Sequence, residues 1–448
     1  MMQRNEHDLL GDVPVPADSL YGAQTQRAVE NFPLYGARRI GDFPALINAL
    51  MFIKQAAADV NATIGDLDPV IAKAISESAT KVRRESLSDA FPIHYLHGGG
   101  GTSANMNANE VLANLAEEQL GGQRGQYRRV HPNDHVNRNQ STNDVYPAAC
   151  HIAVILTWPA LHTALESLAS ELERQAAQLA GQARIARTCL QDAVAISFAD
   201  LLGGYVQVIR RCTARVQTAV NTLHAVPLGG TICGRASDVP PAYLKAIVPR
   251  LAHVTGDPAY RQSANLFDAA QNLDDLAAVS GTLALLASSL IKIAQDFRLM
   301  NSGPETGFSE ITLPPVQPGS SIMPGKINPV IPEYLIQACF KVVGNDLTCQ
   351  SGVRHGELDL NVWESVVVFS VLESMPLLQS AVEVFTTRCV AGIQVHPARN
   401  TANAQTLIPR LTELMKRHGY STVSQVCHDA GQDHEKLKAL LKDRFGDD

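Results

Sequence analysis

Aromatic residues are scarce in this 448-residue chain, at 5 %, with only two tryptophans. Alanine and leucine dominate instead, which favours helix over sheet. No run of like charges occurs, and the net charge is −7. Both facts argue against a nucleic-acid or anionic-membrane partner. No two of the eight cysteines stand at CxxC spacing. A disulfide framework and a zinc ribbon are therefore excluded, and reduced thiols in a cytosolic protein are expected. No uninterrupted run of eighteen apolar residues exists, so no membrane span is expected. The opening MMQRNEHDLLGD is too polar for a signal peptide. What the chain does have is bulk. Apolar residues make up 45 %, enough for a substantial core, and the length predicts two or three domains.

Residues 1–40 are punctuated by Pro14, Pro16, Gly22 and Pro33 and read as an extended arm with turns. A helical period runs from Phe43 to about Ile64, with Asp42 as its expected N-cap. His94 and His97 stand at HxxH spacing, but no third ligand is fixed beside them. Gly98 to Gly101 lack the preceding strand of a dinucleotide site. Their plainer use is to let backbone N–H groups approach an anion. From His131 to Asp144 the chain is dense in Asn, Asp, Ser, Thr and Gln, which predicts a loop. His131 and His135 stand four apart there, but Pro132 argues against a regular helix and a metal pair.

Long helical seams follow. Leu161, Leu165, Leu168, Leu172 and Leu179 form one, and Tyr205, Val208, Cys212, Val216, Val220 and Leu223 form a second. The third runs from Leu273 through Leu283 and Ile293 to Met300. A fourth is expected over 333–347, after Pro332, and a fifth over 357–384, kinked or split at Pro376. Long stripes with short connections mean a helical bundle. Apolar residues off the seam at 279–287 imply burial on more than one side, from subunit packing or from a thick monomeric bundle. Asn301 to Pro318 is irregular and reads as a mobile lid. After His396 a small, polar, helical end is expected.

The stretch Gly319-Ser320-Ser321-Ile322-Met323-Pro324-Gly325-Lys326-Ile327-Asn328-Pro329 stands out. Taken alone, such a run is an ordinary surface loop. A phosphate-binding P-loop is excluded by count, since five residues separate Gly319 from Gly325 and Ile327 follows Lys326.

This stretch resembles the signature of the aspartase/fumarase superfamily of lyases. Other stretches agree in the same order: Gly101 to Glu110, His131 to Asn137 with Gln140 to Asp144, and Arg187 to Ala193. Asp8 to Gly11 and Val29 to Pro33 are similar to an aspartase N-terminus. The resemblance implies a mostly α, three-domain fold with a central bundle of long helices. The divisions expected are 1–140, 141–395 and a shortened 396–448. It also implies a homotetramer with each site shared by three subunits, a cytoplasmic location, and no cofactor or metal ion.

The implied reaction is elimination from a 2-substituted succinate to give fumarate. Ser320 is the implied base for the Cβ proton, its alkoxide stabilised by loop N–H groups and Lys326. Lys326, Asn328 and Thr188 would bind one carboxylate. Thr102, Ser141, Thr142 and Ser321 would surround the other, where a dianionic aci-carboxylate forms, and Ser103 is a further implied substrate-binding residue. Asn143 would lie near the leaving group. Alone, each of these Ser, Thr and Asn residues is an ordinary turn or cap residue.

Three departures from the family pattern gather at the leaving-group end. Cys189 stands where the family usually has histidine, and a thiol cannot copy an imidazole's bonds. Ala195 replaces a frequent proline, and Arg138 adds a cation beside the second block. Glu333 resembles the glutamate that pairs with the family histidine. Ammonia from aspartate is the default leaving group, with water or nitrite (from nitrosuccinate) as alternatives. A catalytically silent relative is a further possibility, as is a cysteine nucleophile at Cys189.

Overall fold

The seams read from the sequence are the buried faces of long helices in the computed structural model, which describes residues 2–446. The five longest helices among the described residues are Thr142–Gln178, Phe198–Thr222, Asp274–Met300, Val330–Arg354 and Glu364–Arg388. Among the described residues the four sheets have two strands each, so the protein is mostly α. Along Asp274–Met300, Leu276, Val279, Leu283, Leu286, Leu290 and Ile293 are wholly buried. Each such side chain contributes about 2 kcal/mol by leaving water. Asp274 and Asp275 begin this helix and Arg298 ends it, matching the helix dipole at both ends.

The chain divides into two compact units, each assembled from three stretches. The first comprises Met1–Thr163, Cys212–Ala287 and Cys339–Gln379. The second comprises Ala164–Arg211, Ser288–Ala338 and Ser380–Asp448. In the second, the chain ends in four short helices, from Pro397–Ala404 to His434–Phe445. The last three pack around Leu414, Val423, Val426, Ala430, Leu437 and Leu441.

Several sequence expectations need correction. Residues 1–40 are not an extended arm. Gln3–Asp8 and Gly11–Pro16 form an antiparallel hairpin, followed by the helix Ala23–Asn31. Arg4 pins this region through the carbonyls of Pro16, Ala17, Ser19 and Tyr21. Asp42 does not cap the helix Pro44–Ile64, because its carboxylate turns back to accept the Arg39 N–H. The fourth long helix starts at Val330, since Pro332 falls in the first turn, where its missing N–H costs nothing. The fifth starts at Glu364 rather than Glu357. Asn361 Oδ1 accepts the Trp363 N–H at 3.0 Å and marks its entry. Pro376 lies inside that helix without ending it. Leu372, Met375, Leu378 and Ala381 are buried on both sides of it and hold the helical path.

Three helical spans, Thr142–Gln178, Asp274–Met300 and Glu364–Gly392, are long and apolar enough to cross a membrane by length and composition. The absence of an uninterrupted apolar run therefore excluded less than expected. Here 56 %, 50 % and 67 % of their most apolar windows are buried inside the chain. The expected lid also carries fixed bonds. Glu310 N–H donates to Met300 O, Leu313 N–H donates to Asn301 Oδ1, and Ile311–Thr312 pairs with Gln394–Val395.

Candidate active site

In the first unit, the first two sequence blocks meet. Thr102 opens the helix Thr102–Gln119 directly after Gly101, which offers no side-chain cap. The first N–H groups of such a helix favour an anion. Thr102 is exposed and Ser103 half-buried. One turn further on, Asn105 Nδ2 donates 3.1 Å to Thr142 Oγ1. Gly101 is required here, since a Cβ on it would stand 2.1 Å from the Tyr146 ring.

The second block folds as one turn of π-helix, Pro132–Val136, followed by a tight loop. Its two histidines serve that turn. His131 Nδ1 accepts the N–H groups of Asn133 and Asp134, and His135 Nδ1 accepts the N–H of His131. Ser141 N–H donates 2.9 Å to Asp144 Oδ1, while the N–H groups of Gly229 and Thr231 reach Asp144 Oδ2. Burial lifts the Asp144 carboxyl to about 6 despite these donors. Asn143 Nδ2 donates to the Ile232 carbonyl. Arg138 is exposed, and its guanidinium meets no partner among the described residues.

Beneath this loop lies a residue that sequence reasoning missed. Lys54 is fully buried, and its Nζ donates 2.9 Å to Asn137 Oδ1 and 3.0 Å to Gln140 Oε1. Asn137 Oδ1 also accepts from Asn105 and Asn109, both at 3.2 Å. Burial pulls the Lys54 ammonium down from 10.5 to about 7, with Asp144 opposing the shift. The available signal was a lone lysine inside the apolar stretch 46–60. Glu110 is a second buried centre. It accepts the N–H groups of Gly22, Gln24 and Thr25 and the Thr25 hydroxyl, tying the N-terminal segment to the first block.

In the second unit, the signature stretch is a closed loop. Gly319 N–H donates 2.9 Å to Lys326 O, and Asn328 Nδ2 donates 2.8 Å to Gly319 O. A Cβ on Gly319 would meet Lys326 O at 2.5 Å, so the closure needs glycine. Ser320 Oγ accepts the N–H groups of Ile322 at 3.2 Å and Met323 at 3.0 Å. Lys326 Nζ lies 2.5 Å from Asn328 Oδ1. In this loop, therefore, the donors to the Ser320 oxygen are backbone groups, and the lysine is engaged with Asn328. Ser321 is exposed.

Lys326, Asn328 and Glu333 line a cavity of about 780 Å³, together with Arg298, Ser302 and Thr312. Ser320 lines a neighbouring recess of about 470 Å³ that shares Lys326. Glu333 pairs with Arg298 at 3.4 Å. Thr188 and Cys189 sit at the tip of the hairpin formed by Ala183–Thr188 and Gln191–Ser197. Both are exposed. Cys189 and Leu190 have φ of 54° and 61°, the left-handed pair of a tight hairpin turn.

Comparison with known proteins decides the family. The lyase family profile matches residues 11–344. An aspartate ammonia-lyase from a Bacillus species is 39 % identical over 98 % of this chain and 92 % of its own length. A class II fumarate hydratase from Nitrosomonas europaea is 40 % identical over 97 % of this chain and 94 % of its own. The crystal structure of recombinant class II fumarase from Schistosoma mansoni superposes with a TM-score of 0.93 at 29 % identity, covering 99 % and 95 % of the two chains. The native form of a Brucella melitensis protein titled fumarate lyase:delta crystallin gives 0.90 at 39 % identity, covering 98 % and 100 %.

The chain belongs to the aspartase/fumarase superfamily. Within this superfamily it resembles both aspartate ammonia-lyases and class II fumarases, at nearly equal identity. Sequence similarity therefore does not choose between C–N and C–O cleavage. The hairpin tip bears on the cysteine-nucleophile idea. The cation nearest in sequence to Cys189, Arg187, is committed to the buried Glu310 carboxylate and stacks over Phe308 at 4.3 Å. Its guanidinium is therefore already engaged.

Proposed function

We propose that this lyase eliminates a leaving group from a 2-substituted succinate to give fumarate, with L-aspartate as the first candidate substrate and ammonia as the group released. The observation that carries the reading is the Ser320 oxygen held by two backbone N–H donors. Such donors stabilise an alkoxide, which a serine needs in order to act as a base. The Ser320 alkoxide takes the Cβ proton. The electron pair moves into the adjacent carboxylate, giving the dianionic aci-carboxylate. That intermediate collapses to the double bond as the leaving group departs. Lys326 and Asn328, with Thr188, hold one carboxylate. Thr102, Ser103, Ser141, Thr142 and Ser321 receive the charge building on the other, with Asn143 beside the leaving group.

This reading includes a homotetramer in the cytoplasm, with three subunits contributing to each site. An apolar stripe supports association. Phe340, Val343 and Leu347 lie on one face of the helix Val330–Arg354 and are 59 %, 40 % and 66 % exposed. A second reading concerns the leaving group alone. Cys189 at the hairpin tip offers no imidazole, and the free guanidinium of Arg138 suits an anion-like group such as nitro. Quantifying ammonia, malate and nitrite with L-aspartate, fumarate in water, and nitrosuccinate separates the two. Ammonia from aspartate supports the first reading. Nitrite or hydration without ammonia replaces it with the second.

A further inference from the structure

Glu310 is fully buried, and two arginines of one strand converge on its carboxylate. Arg184 Nη2 lies 3.2 Å from Oε2, and Arg187 Nη1 donates to Oε1. Strict alternation along Ala183–Thr188 sends residues three apart to opposite faces. The ladder register shifts between Ile185 and Arg187, and this irregularity turns the strand so that both side chains reach one acceptor. A buried carboxylate is costly unless it is paired and hydrogen-bonded, and here both oxygens are taken.

The backbone of Glu310 is fixed as firmly as its side chain. Its N–H donates to Met300 O at 2.8 Å, and its carbonyl accepts from His396 N–H at 3.1 Å and Asn400 Nδ2 at 2.7 Å. The residues that follow it, Ile311 to Pro315, line the cavity that holds Lys326 and Asn328. The residue directly after Arg187 is Thr188, at the hairpin tip beside Cys189. One carboxylate thus links the tip to the cavity wall.

We propose that Glu310 is a positioning residue: by clamping Arg184 and Arg187 it fixes the hairpin tip that carries Thr188 and Cys189, and so governs turnover without touching substrate. The proposal rests on the lyase reading for its catalytic consequence but not for its geometric one. Glu310→Gln keeps the shape and removes the charge, leaving two arginines facing one amide. Arg187→Lys keeps the charge and removes the planar fork. Glu305→Gln, in an exposed position of the same loop, is the control.

Two readouts on purified full-length protein test the clamp. The first is the rate of Cys189 alkylation by iodoacetamide, measured by peptide mass spectrometry against Cys233 as internal reference. Glu310→Gln and Arg187→Lys are expected to change the Cys189 rate at least about fivefold while Cys233 stays constant and Glu305→Gln matches wild type. The second is steady-state fumarate formation. Both variants are expected to lose about 10- to 100-fold in kcat with a smaller change in KM, the size of one charge-assisted bond. Wild-type Cys189 alkylation in both variants overturns the proposal, as does unchanged kcat where wild type turns over. If Glu310→Gln fails to fold, Arg187→Lys decides alone. If wild type turns over no succinate, the lyase reading fails and the alkylation ratio still decides the clamp.

Discussion

Lys54 Nζ lies 2.9 Å from Asn137 Oδ1, in a side chain with no exposure to solvent. The ammonium is thus the buried floor of the loop that presents Ser141, Thr142 and Asn143. Its charge must be costly, and among the described residues two amide oxygens and the pull of Asp144 offset that cost.

This predicts a specific pH dependence of stability. The folded-state pKa is depressed from 10.5 to about 7, so the unfolded chain binds the extra proton between those values. The Lys54 contribution therefore improves as pH rises through that window and is lost as pH falls to 7. Between about pH 7 and about pH 9 the wild type should gain on the order of 2 kcal/mol relative to Lys54→Met. Urea unfolding of both proteins at the two pH values measures it. Parallel pH profiles would contradict the assignment.

Ser320→Ala removes the base while leaving the loop closure between Gly319 and Lys326 intact. Turnover should fall by about 10²–10⁴, the usual range for a positioned general base. Succinate binding, followed by calorimetry, should change little. A loss of binding equal to the loss of rate would place Ser320 among the binding groups instead.

Lys326→Met takes away the cation facing the Asn328 amide oxygen at 2.5 Å. The expected effect is a rise in KM of about 10- to 100-fold with a smaller change in kcat, the worth of one hydrogen bond to a charged group. An effect on kcat alone would move Lys326 from carboxylate binding to alkoxide stabilisation, the role the sequence also offered it.

Gly101 and Gly65 have nearly the same backbone, with φ of 82° and 85°. A Cβ at Gly65 meets nothing within 4 Å, whereas one at Gly101 enters the Tyr146 ring. Gly65→Ala should cost about 1 kcal/mol from conformation alone. Gly101→Ala should cost about 1–3 kcal/mol more through overpacking. Denaturant midpoints of the two variants isolate the steric part. Equal costs would mean that Tyr146 moves aside freely.

The long helices were legible because their seams repeat over many turns, as from Leu276 to Ile293, where burial is complete. The signature loop was legible as a stretch because its distinctive residues lie within eleven consecutive positions. Helix ends were less so. The start at Glu364 depends on where the Asn361 side chain turns, and Pro376 is tolerated because apolar burial on both sides outweighs one missing bond. The support beneath the site was not legible at all. Lys54 meets residues 83 and 86 positions away, and Glu310 meets arginines 123 and 126 positions away. Local spacing carries no trace of such pairs, and each member alone is an ordinary charged residue.

Ser320-dependent formation of fumarate is the decisive observation. Wild type and Ser320→Ala are followed by the ultraviolet absorbance of fumarate with L-aspartate, L-malate and nitrosuccinate in parallel. A rise is expected with at least one of them, L-aspartate first, and it should disappear in Ser320→Ala. No rise with any of the three, or a rise that survives Ser320→Ala, would contradict it.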